Sequence, residues 1–579
     1  MNLESEMNII GSVVGNDEKS IKTWRKNLTA KKFKPLKLPQ GFGQKEIDGR
    51  WKNLLNKNPK YKELMAEDAK NENSGLSDMH LREPIEEIYD HDAKSRQHLY
   101  KHNIENYIGT VKIPLGIAGP VRVNGHHANG DYYIPLATTE AALVASISRG
   151  ISVINQSGGA ASVVVQTGIN RDPCLQFESI IQMGEFIVWA QENYKKIKTI
   201  AESTTRHGKL INVEYVVDGR DVHMRMSYYS ADASGQNMVT IATEKVVEFI
   251  KKEAPVKPFN VLLEGGASGD KKHSVGVLRT VRGKRVTSEV VMPSEVVERV
   301  LHCSPEKMAH NTGIGLRGLA LNGTPSHNLH LANALTAMSI ALGQDPACAG
   351  EMSIGICKIE ITKNRDVYAS ITLPNLLCGT VGGGTKLPSQ LACLRLMGLA
   401  GKGKAYALAE VMSVVCLAGE ISLGSAVSSD DFARAHQLLA RPEYDSQGVN
   451  VDDSIEDQFN KAQSLLLHVE NFPSKDKVLK IYGLYKQATI GDINISKPSA
   501  FSFDLRAKAK YSAWKSLKGT SEEDAMKQYI DLVLEVTGAK RVKGTSAAGA
   551  RPTIRADGGS SSQSQHQNEE QSEEAENKE

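Results

Sequence analysis

Charge imbalance is nearly absent from this chain: 579 residues carry a formal net charge of only +3. That gives no electrostatic case for a nucleic-acid partner. Cysteine is scarce, with seven residues and no CxxC pair. Neither a metal site nor a disulfide scaffold is expected, and the thiols read as reduced, in a cytoplasmic compartment. No apolar run of about eighteen residues stands out, so no transmembrane segment is expected. The opening residues, MNLESEMNII, lack both a signal-peptide and an Arg-rich transit pattern. What remains is ordinary globular composition, 40% hydrophobic and 24% charged, in a chain long enough for two to four domains.

Residues 1–77 are rich in Lys and Asn and read as an arm or a loosely packed helical region. Helical periodicity is clearer from Leu81 to His102, before Pro and Gly crowd in at KIPLGIAGPVRVNG. The segment ATTEAALVASISRGISVI predicts a helix behind Thr138 and Thr139, with Glu140 in its first turn. GKLINVEYVV and RDVHMRMSYYS flank Asp218 and Gly219, a hairpin signal followed by an amphipathic helix. Together these suggest a small α+β insertion. HNLHLANALTAMSIALG and YALAEVMSVVCLAGEISLGSAV are apolar nearly all round and predict buried helices. A polar linker (442–454) precedes a compact C-terminal module, and the Ser-, Gln- and Glu-rich tail (541–579) is expected to be disordered.

Three polar clusters interrupt apolar or Gly-rich surroundings: Thr138-Thr139-Glu140, Asp270-Lys271-Lys272 and Gln344-Asp345. Taken singly, each has a bland reading. DKK is usually a solvated charge run and TTE a helix cap. Buried together, carboxylates and a lysine must pair, and they shift one another's pKa values toward acid–base use. GTVGGGT (Gly379–Thr385) has few side chains and many free amides, suited to a phosphate or a nicotinamide ring.

In their order and spacing, ENYIGTVKIPLGIAGP, PLATTEAALVAS, DKK, GQD and GTVGGGT resemble the catalytic region of 3-hydroxy-3-methylglutaryl-CoA reductases of the eukaryotic and archaeal class, from about Asp78 to Arg441. The resemblance implies an α+β fold: a large domain (78–171 and 263–441) carrying an inserted ferredoxin-like NADP-binding domain (172–262). It implies NADPH-dependent, four-electron reduction of a CoA thioester, and a homodimer or homotetramer with active sites across a subunit interface. By the same match Lys271 stabilises the oxyanion, Glu140 donates a proton and Asp345 tunes both. His436, in FARAHQLLAR, protonates the leaving thiolate. Arg171, Asp270, Lys272 and Asn333 would hold the acyl group. Thr205 and Arg206 would take the 2′-phosphate, and Asp232, Asn237 and Gly382, Gly383 and Gly384 would lie against the rest of the cofactor. Within DASGQNM, Ser234 and Gln236 replace the methionines of the family's usual DAMGMN.

The substrate end departs from the pattern. Glu264 stands where the family has a serine, and Ile314 where it has a second lysine. No Lys occurs between Lys307 and Lys358. Arg317 is either a replacement cation or a surface arginine.

The C-terminal module (455–540) resembles an acyl-CoA-binding protein, an all-α four-helix bundle. The match assigns Tyr482, Tyr485, Lys486, Lys510 and Tyr529 to an acyl-CoA ligand, with rings for adenine and lysines for phosphate. Three readings follow: reduction of hydroxymethylglutaryl-CoA to mevalonate, reduction of a longer or less acidic acyl-CoA, and a non-catalytic acyl-CoA binder.

Overall fold

The computed structural model describes residues 38–57, 62, 84–429, 449–466, 474–495 and 505–542. The chain separates into two units, 1–440 and 441–579.

The first unit is built on ten strands: β1 (Leu115–Gly125), β2 (Asn129–Ala137), β3 (Ala160–Arg171), β4 (Cys174–Gln176), β5 (Lys209–Asp218), β6 (Asp221–Tyr229), β7 (Asn260–Leu262), β8 (Gly283–Met292), β9 (Ile356–Ile361) and β10 (Val367–Leu376). Their path runs β7-β4-β6-β3-β8-β10-β9, with β1 beside β2 and β3, and β5 beside β6. β3 belongs to both halves. Ala161 to Gly168 pair antiparallel with β8, and Ile169 to Arg171 pair with β6. Arg171 is therefore delivered to the junction of the two sheets.

The expected hairpin forms: β5 and β6 pair antiparallel down to Asp218 opposite Asp221, and Gly219 supplies a positive φ of 58°. Along β6 the buried positions alternate, Val222, Met224, Met226 and Tyr228, as a half-covered strand requires. Helices Ile180–Glu192 and Tyr194–Glu202 follow β4, and Gln236–Glu253 follows β6. With antiparallel order β7-β4-β6-β5, this lobe is the ferredoxin-like βαββαβ arrangement.

The core of the first unit is organised by the Ala405–Ser428 helix, nearly every residue of which is buried. Contrary to the sequence expectation, this helix is long and apolar enough to cross a membrane by length and composition. Here it is a core element instead. Two carboxylates break its run, and both are used internally. Glu410 accepts from the His127 and Ala128 amides at 2.7 Å, and Glu420 from those of Leu329 and His330 at 2.8 Å. The Leu143–Gln156 helix crosses it closely. A Cβ on Gly150 would lie 1.8 Å from the Ala418 carbonyl oxygen, so a larger residue there must separate the helices.

Two helix expectations shift. The Leu81–His102 stretch is not one helix. Asp90 starts a new one, its carboxylate accepting from the Ala93 amide, so Pro84–Ile88, His91–Ser95 and the 3₁₀ turn Gln97–Tyr100 are separate. Thr138 to Ala141 stand outside the next helix, which begins at Leu143 behind Ala142 in a left-handed conformation (φ 72°). Glu140 is thus on an exposed turn, not in a first helical turn. Within the presumed N-terminal arm, helix Gln44–Lys57 builds its own small core: Ile47 and Trp51 pack with Tyr89, Ala93 and Tyr107.

The second unit is the expected bundle, with helices Ile455–Leu466, Lys475–Ile490, Leu505–Lys515 and Glu522–Thr537. Phe459, Leu484, Ile530 and Val533 are among its core residues. Val449–Asn450 and Arg541–Val542 pair in parallel and tie its two ends together. Gln487 donates to the Thr520 carbonyl and Trp514 to that of Gly491, satisfying backbone groups at the helix ends.

Candidate active site

Three of the predicted motifs are brought together by backbone contact. A Cβ on Gly379 would stand 2.5 Å from the Ser234 nitrogen and 2.9 Å from the Asp232 oxygen. One on Gly343 would stand 2.4 Å from the Gly384 carbonyl. Gln344 completes the lock, accepting from the Gly379 amide at 2.8 Å and donating to the Gly379 carbonyl at 2.9 Å. The glycines of GTVGGGT are therefore needed first for packing against DASGQN and GQD. Gly382 and Gly383, both at positive φ, leave open space where a Cβ would stand. A flat group can approach the backbone there.

Lys271 enters this junction from the DKK loop in a left-handed conformation (φ 58°), costly for a residue with a Cβ. Its ammonium lies 3.0 Å from Asp345 Oδ2. The hydrogen bond to Asp345 holds the Lys271 pKa above its usual value despite burial. Burial pushes Asp345 the other way, but donors from Lys271 and the Ala347 amide keep the carboxyl below its ordinary range. The pair is charged on both sides at neutral pH, with each group about 40% exposed and open to a ligand.

Behind it runs a buried ion network. The Lys271 amide donates to Glu351 Oε1 at 3.2 Å. Glu351 Oε2 lies 2.7 Å from Arg282 Nε, an ion pair without hydrogen-bond alignment, and both side chains are fully buried. Burial raises the Glu351 carboxyl to about 7, against the pull of Arg282. Arg282 also donates to Asp270 at 2.5 Å and to the Asn170 carbonyl at 2.7 Å. Arg171 reaches Asp270 at 3.1 Å and Glu264 at 2.9 Å. Lys272 stays exposed.

Glu140 is elsewhere. Both its oxygens accept from Asn333 Nδ2, at 3.0 and 3.1 Å. Asn333 lies near the start of the Leu331–Leu342 helix, and Asp345 lies just past its end. Nine residues at 1.5 Å each put about 13 Å of helix between them. Among the described residues no hydrogen bond or ion pair joins Glu140 to Lys271 or Asp345. His436 lies outside the described residues.

On the cofactor side, Thr205 and the exposed Arg206 sit on the turn after Tyr194–Glu202, where Thr205 Oγ1 accepts from the Gly208 amide. Asn237 is exposed at the start of Gln236–Glu253. The Asp232 carboxylate is occupied by the chain itself, accepting from the Gly403 and Ala405 amides at 2.9 and 3.3 Å. It clamps the start of the central helix.

A family model described as hydroxymethylglutaryl-coenzyme A reductase matches residues 72–441, nearly two thirds of the chain. The chain belongs to the hydroxymethylglutaryl-coenzyme A reductase family. An enzyme of that name from Methanothermobacter thermautotrophicus is 43% identical over 343 residues, covering 59% of this chain and 86% of the relative. 3-Hydroxy-3-methylglutaryl-coenzyme A reductase 2 of Dictyostelium discoideum is 39% identical over 344 residues, 57% of this chain and 64% of the relative. Among solved structures, a class II hydroxymethylglutaryl-CoA reductase from Streptococcus pneumoniae bound to NADPH aligns at TM-score 0.47 and 17% identity, covering 65% of this chain and 99% of its own. A second family model, acyl CoA binding protein, matches residues 456–533. This reductase-family chain thus carries an acyl-CoA-binding module.

In that module Lys510 Nζ sits 4.8 Å from the centre of the Tyr482 ring, and Lys486 Nζ 5.8 Å from that of Trp514. Burial and the charge of Lys510 lower the Lys486 pKa, as expected of two ammonium groups awaiting an anion. Tyr485 is half-buried and stacks on Phe459. Tyr529 is different. Only 3% exposed, it packs against Phe459 and Tyr485, so its ring is a core element and not an open stacking surface.

Sequence reasoning missed Glu351 and Arg282. Neither stands in a motif, and an apolar flank was the only signal that either is buried.

Proposed function

We propose that the chain reduces hydroxymethylglutaryl-CoA to mevalonate and CoA with two NADPH in succession, and that its bundle holds an acyl-CoA. The observation that carries this reading is the Lys271–Asp345 pair, 3.0 Å apart, at the meeting point of DKK, GQD, DASGQN and GTVGGGT. When bound, the nicotinamide cofactor supplies hydride to the thioester carbonyl and then to the aldehyde. Open backbone at Gly382 and Gly383 fits a flat ring, and Thr205 and Arg206 offer a hydroxyl and a guanidinium to a phosphate.

Lys271 holds the oxygen of the reacting carbonyl as negative charge develops on it, while Asp345 keeps the ammonium charged and aimed. Arg171, Asp270, Lys272 and Asn333 contact the acyl group. Glu140 is the proton donor and His436 protonates the leaving thiolate. Asn333, which binds Glu140, stands about 13 Å of helix before the end that leads to Asp345, and the family resemblance has donor and oxyanion cation meet across a subunit interface. We therefore read the protein as a homo-oligomer, dimer or tetramer, with active sites between subunits. All seven cysteines are buried and unpaired, which supports a reducing, cytoplasmic setting. A mevalonate product suits isoprenoid or sterol precursor synthesis.

The test is NADPH oxidation by the purified full chain with hydroxymethylglutaryl-CoA. Two NADPH should be consumed per mevalonate, and Lys271→Met should lower kcat about 10²- to 10³-fold with the fold retained. Equal turnover in the wild type and Lys271→Met would overturn the assignment.

A further inference from the structure

Among the described residues, each buried cation at the acyl end of the site already faces a carboxylate. Arg171, 9% exposed, already faces two carboxylates through one nitrogen, Glu264 at 2.9 Å and Asp270 at 3.1 Å. Arg282, fully buried, faces Asp270 and Glu351. Two guanidinium groups are therefore set against three carboxylates, and Lys271 is engaged by Asp345. Glu264 cannot swing aside freely. Its Oε1 accepts from the Gly266 amide at 3.0 Å and from the Ser268 hydroxyl at 2.9 Å, while Oε2 is turned to Arg171. The Arg171 Nε, buried and without an acceptor, leaves a donor suited to a neutral oxygen such as a hydroxyl.

On the proposed reading, in which the carbonyl meets Lys271 and the acyl group lies against Asp270 and Arg171, its far end also faces Glu264, the second carboxylate on Arg171. A carboxylate at its far end meets an arginine whose charge is spent and a carboxylate fixed in place. Like charges at such separations in a partly buried site repel strongly.

We propose that Glu264 sets the charge preference of the acyl pocket, lowering its selectivity for acyl groups that end in a carboxylate so that uncharged 3-hydroxyacyl thioesters are admitted beside hydroxymethylglutaryl-CoA. Glu264 acts as a specificity filter, filling the ion-pair position on Arg171 that a dicarboxylic acyl group needs. This rests on the proposed reductase function and on the acyl group lying against Arg171.

The experiment compares hydroxymethylglutaryl-CoA with 3-hydroxy-3-methylbutyryl-CoA, which differs only in lacking the carboxylate. NADPH oxidation is measured for the wild type, Glu264→Gln and Glu264→Ser. The ratio of kcat/KM for the acidic ester to that for the neutral ester should rise at least tenfold in both variants, about 1.4 kcal/mol. A ratio that stays within twofold of wild type, or falls, overturns the filter. Glu264→Gln keeps a hydrogen bond to Arg171 and covers the case in which the serine variant fails to fold. If the wild type oxidises NADPH with neither ester, the reductase reading itself fails. Calorimetric titration of the two esters into wild type and Glu264→Gln then still tests the charge preference by affinity.

Discussion

The two units handle charge in opposite ways. In the reductase unit the important cations are buried or half-buried, and each is matched by carboxylates: Lys271 with Asp345, Arg282 with Glu351 and Asp270, Arg171 with Glu264 and Asp270. In the bundle, half-buried Lys486 and exposed Lys510 lie beside aromatic rings, and burial together with the charge of Lys510 lowers the Lys486 pKa. Chemistry on a carbonyl needs a cation held in one orientation before the charge develops, so its supports must be in place beforehand. Holding a phosphate needs only attraction, and lysines beside aromatic rings, with no carboxylate partner among the described residues, provide it at little cost to the fold.

Arg282 offers the largest test of that contrast. Arg282→Met leaves buried Glu351 without a guanidinium partner and Asp270 with Arg171 alone, and unfolding in urea should show a loss of about 3–5 kcal/mol. An unchanged midpoint would mean that the network is not load-sharing and that Lys271 is positioned by its loop alone.

Glu351 gives an intermediate effect, with pH as the probe. Its folded pKa is about 7, above the ordinary carboxylate value, because of burial. The stability gained from its neutral form is full below the unfolded pKa and is lost as pH rises through about 7. Glu351→Gln mimics the neutral form permanently. The Tm of wild type relative to Glu351→Gln should therefore fall between pH 5 and 8, whereas a flat difference would show that Arg282 keeps the carboxyl ionised throughout.

The smallest effect belongs to the bundle. Lys486→Ala should weaken binding of a long-chain acyl-CoA about tenfold by calorimetry while shifting unfolding by no more than about 0.5 kcal/mol. A large loss of stability instead would make Lys486 a structural residue packed on Trp514.

Much of the architecture was legible locally. The Asp218-Gly219 hairpin, the amphipathic Gln236–Glu253 helix and the two all-apolar helices form as their patterns predict. Each rests on period or turn chemistry that a few neighbouring residues decide. Failures came where one residue, or packing against distant ones, competes with pattern. Asp90 caps a new helix inside a periodic stretch, and Ala142, at positive φ, delays the helix expected at Glu140. Tyr529 matched a ligand-facing position by motif, yet packing with Phe459 and Tyr485 places its ring in the core. Asp232 matched a cofactor position, yet two amides of the chain occupy its carboxylate.

By itself, the sequence determined the family, the order of motifs, the ferredoxin-like insertion and the attached bundle, because these follow from local pattern and residue identity. It named Lys271 and Asp345, and it marked Glu264 as out of place. Only tertiary structure decided that Glu264 is bound to Arg171, that Glu351 and Arg282 support the Lys271 loop, and that Glu140 is held by Asn333. Ion pairing depends on distance and burial, and residues far apart in the chain, such as Arg171 and Glu264 or Arg282 and Glu351, acquire both only when the chain has folded.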